Sequence, residues 1–473
     1  MGFGVRDSRL KAVGLILELG IKDPVLLISI ILLLLVDCPA TSYYDLRMRE
    51  VVMRIYLALF LMLITGLSGI APAFAQEASV SELVKTGDEM LQGAARLRGL
   101  APKGPIQQGV KDKAEISRYL NERVQAEYTP GEIEKEGKTL RTLGLIPAEM
   151  DYRGFVIKLL TEQVGGFYDS DKKTLFIASW LPSEEQKPVM IHELTHALQD
   201  QYFDVGKMVK EDRSLQNDDR ILAHQAVMEG DGMVVMLQYF LEPVKRHFSQ
   251  VPDLASIMQA QMMTMQAQFP VFKEAPLYLR ETLLFPYGYG ASFLQYVWRK
   301  NPTWESVNKI YSDMPVSTEQ IMHPEKYYGE RDMPKPVNTE NFVAGLGPDW
   351  KIVDKSVLGE FSLGLLMSLH LTEERSRKAA AGWGGDQVIL LENKEGKDVV
   401  LLSTVWDTPE DAEKFYGEMD EWFRLRYPKA QRSNEAPTGF SLFQNGEFYS
   451  IRRNGASVQL IFGLPEADGR KIK

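Results

Sequence analysis

Thiols are all but missing from this sequence: of 473 residues one is cysteine, Cys38. That excludes a disulfide framework and a thiolate-ligated metal and, because Cys38 falls in a segment set aside below, cysteine catalysis as well. Histidine is nearly as rare, at six, so any metal must be held by a few imidazoles and by carboxylates. Positive charge is in deficit, with 54 Lys and Arg against 64 Asp and Glu and a formal net charge of −10. A nucleic-acid partner needs a basic face, and anionic membranes attract the same feature, so no nucleic acid and no general membrane attraction is expected. Internal repeats and low-complexity tracts are absent. "YGYG" (287–290) is not a phosphate loop, since no strand–loop–helix frame surrounds it. What remains is a globular composition, 45% hydrophobic and 25% charged, in a chain long enough for two or three folded units.

Long apolar runs occur only at the N-terminus. Pro24–Val36 spans 13 residues, short of the ~20 that a spanning helix needs. Ile55–Ala75 follows Arg47, Arg49 and Arg54 and ends in Ala73-Phe74-Ala75, the charged, apolar and small-residue order of a secretory signal. We expect cleavage after Ala75 and export to the periplasm or beyond. The alternative is an uncleaved segment that anchors the protein in a membrane. Residues 1–47 read as an over-extended start, with Met48 or Met53 as the true one. Anchoring through Cys38 is disfavoured, because Asp37 stands where a small residue is required.

Three regions follow this leader: a helical region at 76–164, a central domain at 165–347, and an α+β module at 348–473 that begins near Gly345–Pro348. In the first, "APKGPIQQG" marks a loop or short strand, and "DYRGFVIKLLTEQVGG" is an amphipathic helix stopped by Gly165-Gly166. "FYDSDKKTLFIA" then reads as a strand pair. Long helices are expected over the stretch that contains residues 187–204, over Arg220–Glu242, over "LASIMQAQMMTMQAQF" and from Tyr289 on. In the last module a helix is expected up to Gly382, then a hairpin with its turn at Lys394–Lys397. After it comes a helix capped by Thr408, and a meander with turns at Asn445-Gly446 and Asn454-Gly455.

The chemistry lies in "HELTHALQDQ". On a helix His192 and His196 share a face one turn apart and can converge on one ion, while Glu193 points to the space beside it as a general base toward a metal-bound water. Nitrogen and oxygen donors with an open fourth position suit zinc. The competing reading is a structural helix with two hydrogen-bonded histidines, a costly arrangement on a buried helix without partners. A third ligand is needed, and "HQAVMEGDG" offers His224, Glu229 and Asp231. Glu229 is preferred. The glycines beside it, Gly230 and Gly232, each cost a helix roughly 1 kcal/mol against Ala and so point to close helix packing there. For the developing oxyanion, "FPYGYG" supplies Tyr287 and Tyr289, and "STEQIMHPEKY" supplies His323 and Tyr327. His323 is favoured, with Tyr289 next.

"HELTHALQDQ" followed by "VMEGDG" resembles the gluzincin metallopeptidases over about Phe167–Gln238. More narrowly, the chain resembles exported bacterial proteins that combine this motif with "STEQIMHPEKY" and a C-terminal "AAGWGGD" module. The resemblance implies a mainly helical zincin-like domain with a small edge sheet, zinc on His192, His196 and Glu229, and Glu193 as catalytic base. It also implies that the strand at Leu175–Ile177 is the edge along which an extended peptide substrate lies. The sequence departs from thermolysin-like enzymes at Met233, where those enzymes carry an Asp. The group that orients a ligand histidine must come from elsewhere, with Asp231 and Asp200 as candidates. The expectation is an α+β, exported zinc metallopeptidase acting on peptides or proteins. The alternative is a non-catalytic envelope protein that keeps the fold for binding.

Overall fold

The computed structural model describes residues 80–471 apart from 128–130, 253, 255–256, 258–268, 338, 340–342 and 344–345. The N-terminal apolar runs, the cleavage site after Ala75 and most of the helix expected over Leu254–Phe269 lie outside the described residues. No helix within them is long and apolar enough to cross a membrane. Apart from Phe240–Arg246, they belong to one compact unit. Phe240–Arg246 holds the end of a long helix and a 3-10 turn at Glu242–Val244. The protein is α+β, with helices around a three-stranded sheet first and a seven-stranded antiparallel sheet at the C-terminal end.

Helix α1 (Val80–Arg98) leads to strand β1 (Gln107–Lys111). Three helices follow, Lys113–Glu127, Glu132–Leu143 and Tyr152–Gln163, the last capped by Asp151, which accepts from the Gly154 amide at 3.0 Å. The strand pair is then as expected, β2 (Gly166–Asp169) antiparallel to β3 (Thr174–Ala178). β1 pairs in parallel with the other side of β3, giving the order β1-β3-β2. This corrects the expectation that Leu175–Ile177 forms the edge strand. Both its sides are paired, and the strand open on one side near the candidate site is β2. Parallel pairing requires a long crossover, so β3's second partner stands more than sixty residues away in sequence, beyond any local pattern.

Helix α2 (Ser183–Phe203) has an apolar stripe of Met190, Ile191, Leu194 and Leu198 that packs with Leu91, Ala94 and Leu97 of α1 and with Leu175 and Ile177 of β3. All four stripe residues are fully out of solvent, and each contributes about 1.5–3 kcal/mol of burial. Helix α3 (Asp218–Leu241) is capped by Asn217, which accepts from the Arg220 amide at 2.9 Å. It is buried on most sides. Helix α4 (Leu277–Lys300) starts twelve residues before the expected Tyr289 and runs through Pro286, Gly288 and Gly290. Those residues read locally as punctuation, but the burial of Phe285, Phe293, Leu294 and Val297 outweighs that propensity. Helix α5 (Thr318–Met322) is capped by Ser317.

The C-terminal sheet has the order β4-β5-β6-β10-β9-β8-β7. Its strands are β4 (Trp350–Ser356), β5 (Trp383–Asn393), β6 (Asp398–Trp406), β7 (Gln431–Ala436), β8 (Gly439–Gln444), β9 (Glu447–Asn454) and β10 (Ser457–Pro465). Between β4 and β5 stand two helices in place of the one expected: α6 (Gly359–Ser368) and Glu373–Ala380. Thr372 restarts the chain as a cap, accepting from the Arg375 amide. Helix α7 (Pro409–Arg426) is capped by Thr408 and buries Ala412, Phe415, Met419, Trp422 and Phe423, as its pattern predicts. Asn445 and Gly446 both take positive φ, 54° and 78°, as a tight hairpin turn demands. The core does not divide at 347/348. One apolar cluster joins Leu140, Leu143 and Leu159 to Leu363, Leu402, Trp422 and Phe462. A seven-stranded sheet offers more apolar surface than α7 alone can cover, and α6, the helix Glu373–Ala380 and the helices that follow β1 join its core.

Candidate metal centre

The apolar stripe of α2 is committed to α1 and β3, so its other face, with His192 and His196, is left toward α3. Gly232 on α3 makes room for the nearer ring: a Cβ there would lie 2.7 Å from His192 Cε1. Gly230 serves a different neighbour. A Cβ on it would stand 2.3 Å from the Gly290 carbonyl carbon, and one on Gly290 would stand 1.9 Å from the Ala226 oxygen. Helices α3 and α4 therefore cross backbone on backbone, and the two glycines beside Glu229 have separate reasons. Between the two crossings, Glu229 is presented to the histidines.

His192 Nε2 lies 3.0 Å from Glu229 Oε2, His196 Nε2 lies 3.3 Å from the same oxygen, and the two Nε2 atoms are 3.0 Å apart. Tetrahedral zinc with bonds of about 2.0–2.1 Å holds neighbouring donors about 3.3 Å from one another. The donor set and its triangle fit that ion, with one position left open. Glu193 stays outside the triangle, and its Oε2 accepts from the Tyr168 amide of β2 at 3.0 Å. His196 Nδ1 is 2.9 Å from Gln199 Oε1, and Gln199 donates through Nε2 to the Met228 carbonyl at 3.0 Å. That second bond fixes the amide, so His196 turns Nδ1–H to Gln199 and Nε2 to the centre. His192 Nδ1 is buried without a partner, and its ring is held by packing against Gly232 and by the Tyr287 ring at 6.1 Å between centroids.

Burial pushes the Glu193 carboxyl above its ordinary range, against the pull of both histidines. Burial also opposes charge on His196, yet the carboxylate of Glu229 beside it prevails and holds its pKa at about 10. Glu229, likewise opposed by burial, is carried well below the usual carboxylate range, chiefly by His196. The negative charge of Glu229 and then burial raise the Tyr287 phenol far above normal, and it stays a donor, hydrogen-bonded to Glu229. The proton on His196 holds a positive charge where a cation would bring one, and a metal must displace it. Beside Glu229 and Tyr287 opens a cavity of about 350 Å³ lined by Val156, Leu160, Leu222, Leu283 and Pro286.

The rival ligands are occupied elsewhere. His224 Nδ1 lies 2.5 Å from Asp212. Asp231 accepts twice from Arg98 Nε, at 2.7 and 2.9 Å, and once from the Tyr311 hydroxyl at 2.8 Å. Asp200 accepts from the Tyr168 hydroxyl at 2.9 Å and pairs with Lys173. Neither expected carboxylate orients a ligand histidine; Gln199 does. His323 and Tyr289, expected as oxyanion donors, do not join the three ligands. His323 Nε2 lies 2.9 Å from Glu360, and Tyr289 packs on Phe285 and Phe361. The tyrosine that meets Glu229 is Tyr287. Positions two apart on a helix point about 200° away from each other, so one tyrosine of the pair had to face away, and seeing that "FPYGYG" is helical would have shown the choice.

Residues 351–473 match the family model of a domain of unknown function, DUF8575. No curated protein matches the chain. A solved structure from Chloroflexus aurantiacus, described provisionally as a hydrolase with a novel fold, is 19% identical with a TM-score of 0.33, covering 58% of this chain and 96% of that one. A likeness at that score defines neither fold nor chemistry here.

Proposed function

We propose that the protein is a zinc-dependent metallopeptidase of gluzincin type, exported by way of the apolar segment Ile55–Ala75. The observation that carries this reading is the triangle of His192, His196 and Glu229, built from two helices, with Glu193 one residue beyond the first histidine. Zinc bound by these three would act as a Lewis acid toward a substrate carbonyl and toward water. Glu193, held by the Tyr168 amide, takes the proton of the attacking water, and burial that raises its pKa makes it a better acceptor near neutral pH. Tyr287, kept protonated and hydrogen-bonded to Glu229, stabilises negative charge that develops on the substrate oxygen. The open side of β2 offers backbone groups to an extended peptide, and the apolar cavity beside Glu229 suits an aliphatic or aromatic side chain.

The test is zinc content, then cleavage of a peptide library. One zinc per chain is expected in the wild type and none in Glu229→Ala or His196→Ala. Glu193→Gln is expected to keep zinc and lose cleavage by about 10²–10⁴-fold. Folded wild-type protein without zinc overturns the metal site. Zinc with no cleavage by the wild type leaves a binding scaffold.

A further inference from the structure

Tyr289 and His323 belong to a second place in the molecule. A cavity of about 230 Å³ lies between α4, α5, α6 and the helix Glu373–Ala380. Four charged residues stand in its wall: Glu281, Glu360, Glu373 and Arg377. All four act electrostatically on the Tyr289 phenol. Glu360 is 1% exposed; its Oε1 takes the bond from His323, and its Oε2 is buried without a partner. Among the described residues no ion pair joins Glu281, Glu373 or Arg377 to another side chain. Phe361 supplies an apolar wall against Tyr289. Glu281 is half-buried and Glu373 and Arg377 are exposed, so the costly group is the Glu360 Oε2 atom, buried without a partner, and interiors keep such an atom where something binds.

A second group of acidic side chains among the described residues, Glu319, Asp332 and Asp407, differs in just this respect. Lys326 sits among its three carboxylates at 2.6, 2.9 and 3.1 Å and fills it. The Glu360 cavity has three carboxylates against the single Arg377, with His323 on Glu360 Oε1, and no lysine among them.

We propose that the Glu360 cavity binds a small primary ammonium compound from outside the chain, its ammonium donating to Glu360 Oε2 and to the carboxylates at the rim. Arg377 in the same wall gives a free amino acid a partner for its carboxylate. The site does not depend on the metal centre: it shares α4 but uses the opposite face.

The experiment is calorimetric titration of the intact protein with L-lysine and with cadaverine, which lacks the carboxylate. Binding of both at about 1 mM or tighter is expected, with L-lysine the stronger where Arg377 reads the carboxylate and the two equal where the ammonium alone is read. Glu360→Gln keeps an acceptor for His323 and removes the charge, and should weaken binding about 10–100-fold. Should that variant fail to fold, the double change Glu281→Gln, Glu373→Gln, on side chains nearer solvent, should weaken binding about tenfold. No binding of either compound to the wild type, or affinity unchanged in both variants, overturns the proposal.

Discussion

In the helical region around α3, the most deeply buried side chains include Arg98 and Asp231, both without solvent exposure and joined at 2.7 Å. In the C-terminal module the corresponding positions are held by Trp406 and Phe462 of the sheet and by Phe415 and Trp422 of α7. The first interior sets a fully buried ion pair beside its apolar stripe; the second is built on volume. Buried ion pairs add little net stability, but they tolerate few arrangements. Packed rings and aliphatic chains stabilise strongly and tolerate several. The molecule thus puts its exacting interactions beside the candidate metal centre and its permissive ones in the module that shares its core.

The largest test of this contrast is Asp231→Leu, which leaves the Arg98 guanidinium buried without its carboxylate. Urea unfolding should show a loss of about 3–5 kcal/mol, largely recovered when Arg98→Met is added. A loss below about 1 kcal/mol would mean that the helical region is not held by charge after all.

The sheet's own exception comes next. Asp386 on β5 accepts from the amides of Leu358 and Gly359 and from Trp383 Nε1, at 2.8–2.9 Å. Burial nevertheless pushes its pKa up from 3.8 to about 6, against those three donors. A raised carboxyl binds its proton more tightly when folded. Its contribution is therefore complete below about pH 4 and is lost as pH rises through 6, a change on the order of 3 kcal/mol. Unfolding free energies measured from pH 4 to 7 should fall across that window, and the slope should flatten in Asp386→Asn. A slope that the variant leaves intact would assign the change to other carboxyls.

The smallest effect is expected from Leu402→Met, a near volume-conserving change at a fully buried sheet position. It should cost less than about 1.5 kcal/mol by the same unfolding measurement and leave zinc content unchanged. A cost comparable to that of Asp231→Leu would erase the distinction between the two interiors.

The two regions also differ in how far the sequence discloses them. In the sheet module the turn at Lys394–Lys397, the cap at Thr408 and the Asn-Gly turns at 445–446 and 454–455 are local features, and β5, β6, α7 and the last three strands follow from them, whereas β4 and β7 did not show in the pattern. Near the candidate metal centre the spacing of His192, Glu193 and His196 on one helix was legible for the same reason, and Glu229 came within reach through the glycines around it. What escaped depends on distant chain segments. β1 covers β3 from more than sixty residues away. α4 continues through Pro286 because tertiary burial, not propensity, sustains it, and that decides Tyr287 over Tyr289. Gln199 carries no local signal, because its part in orienting His196 depends on the Met228 carbonyl of another helix.

The crossing of Gly230 and Gly290 makes α3 and α4 behave like two meshed gears with no rubber between the teeth. Side chains at a helix contact absorb small displacements by changing rotamer; two backbones in contact cannot. Glu229 is next to one tooth, and Tyr289 is next to the other, with Tyr287 one turn before it on a different face. The contact therefore sets the spacing of α3 and α4 close to where Tyr287 is hydrogen-bonded to Glu229, and a side chain larger than hydrogen at either glycine would have to push the two helices apart.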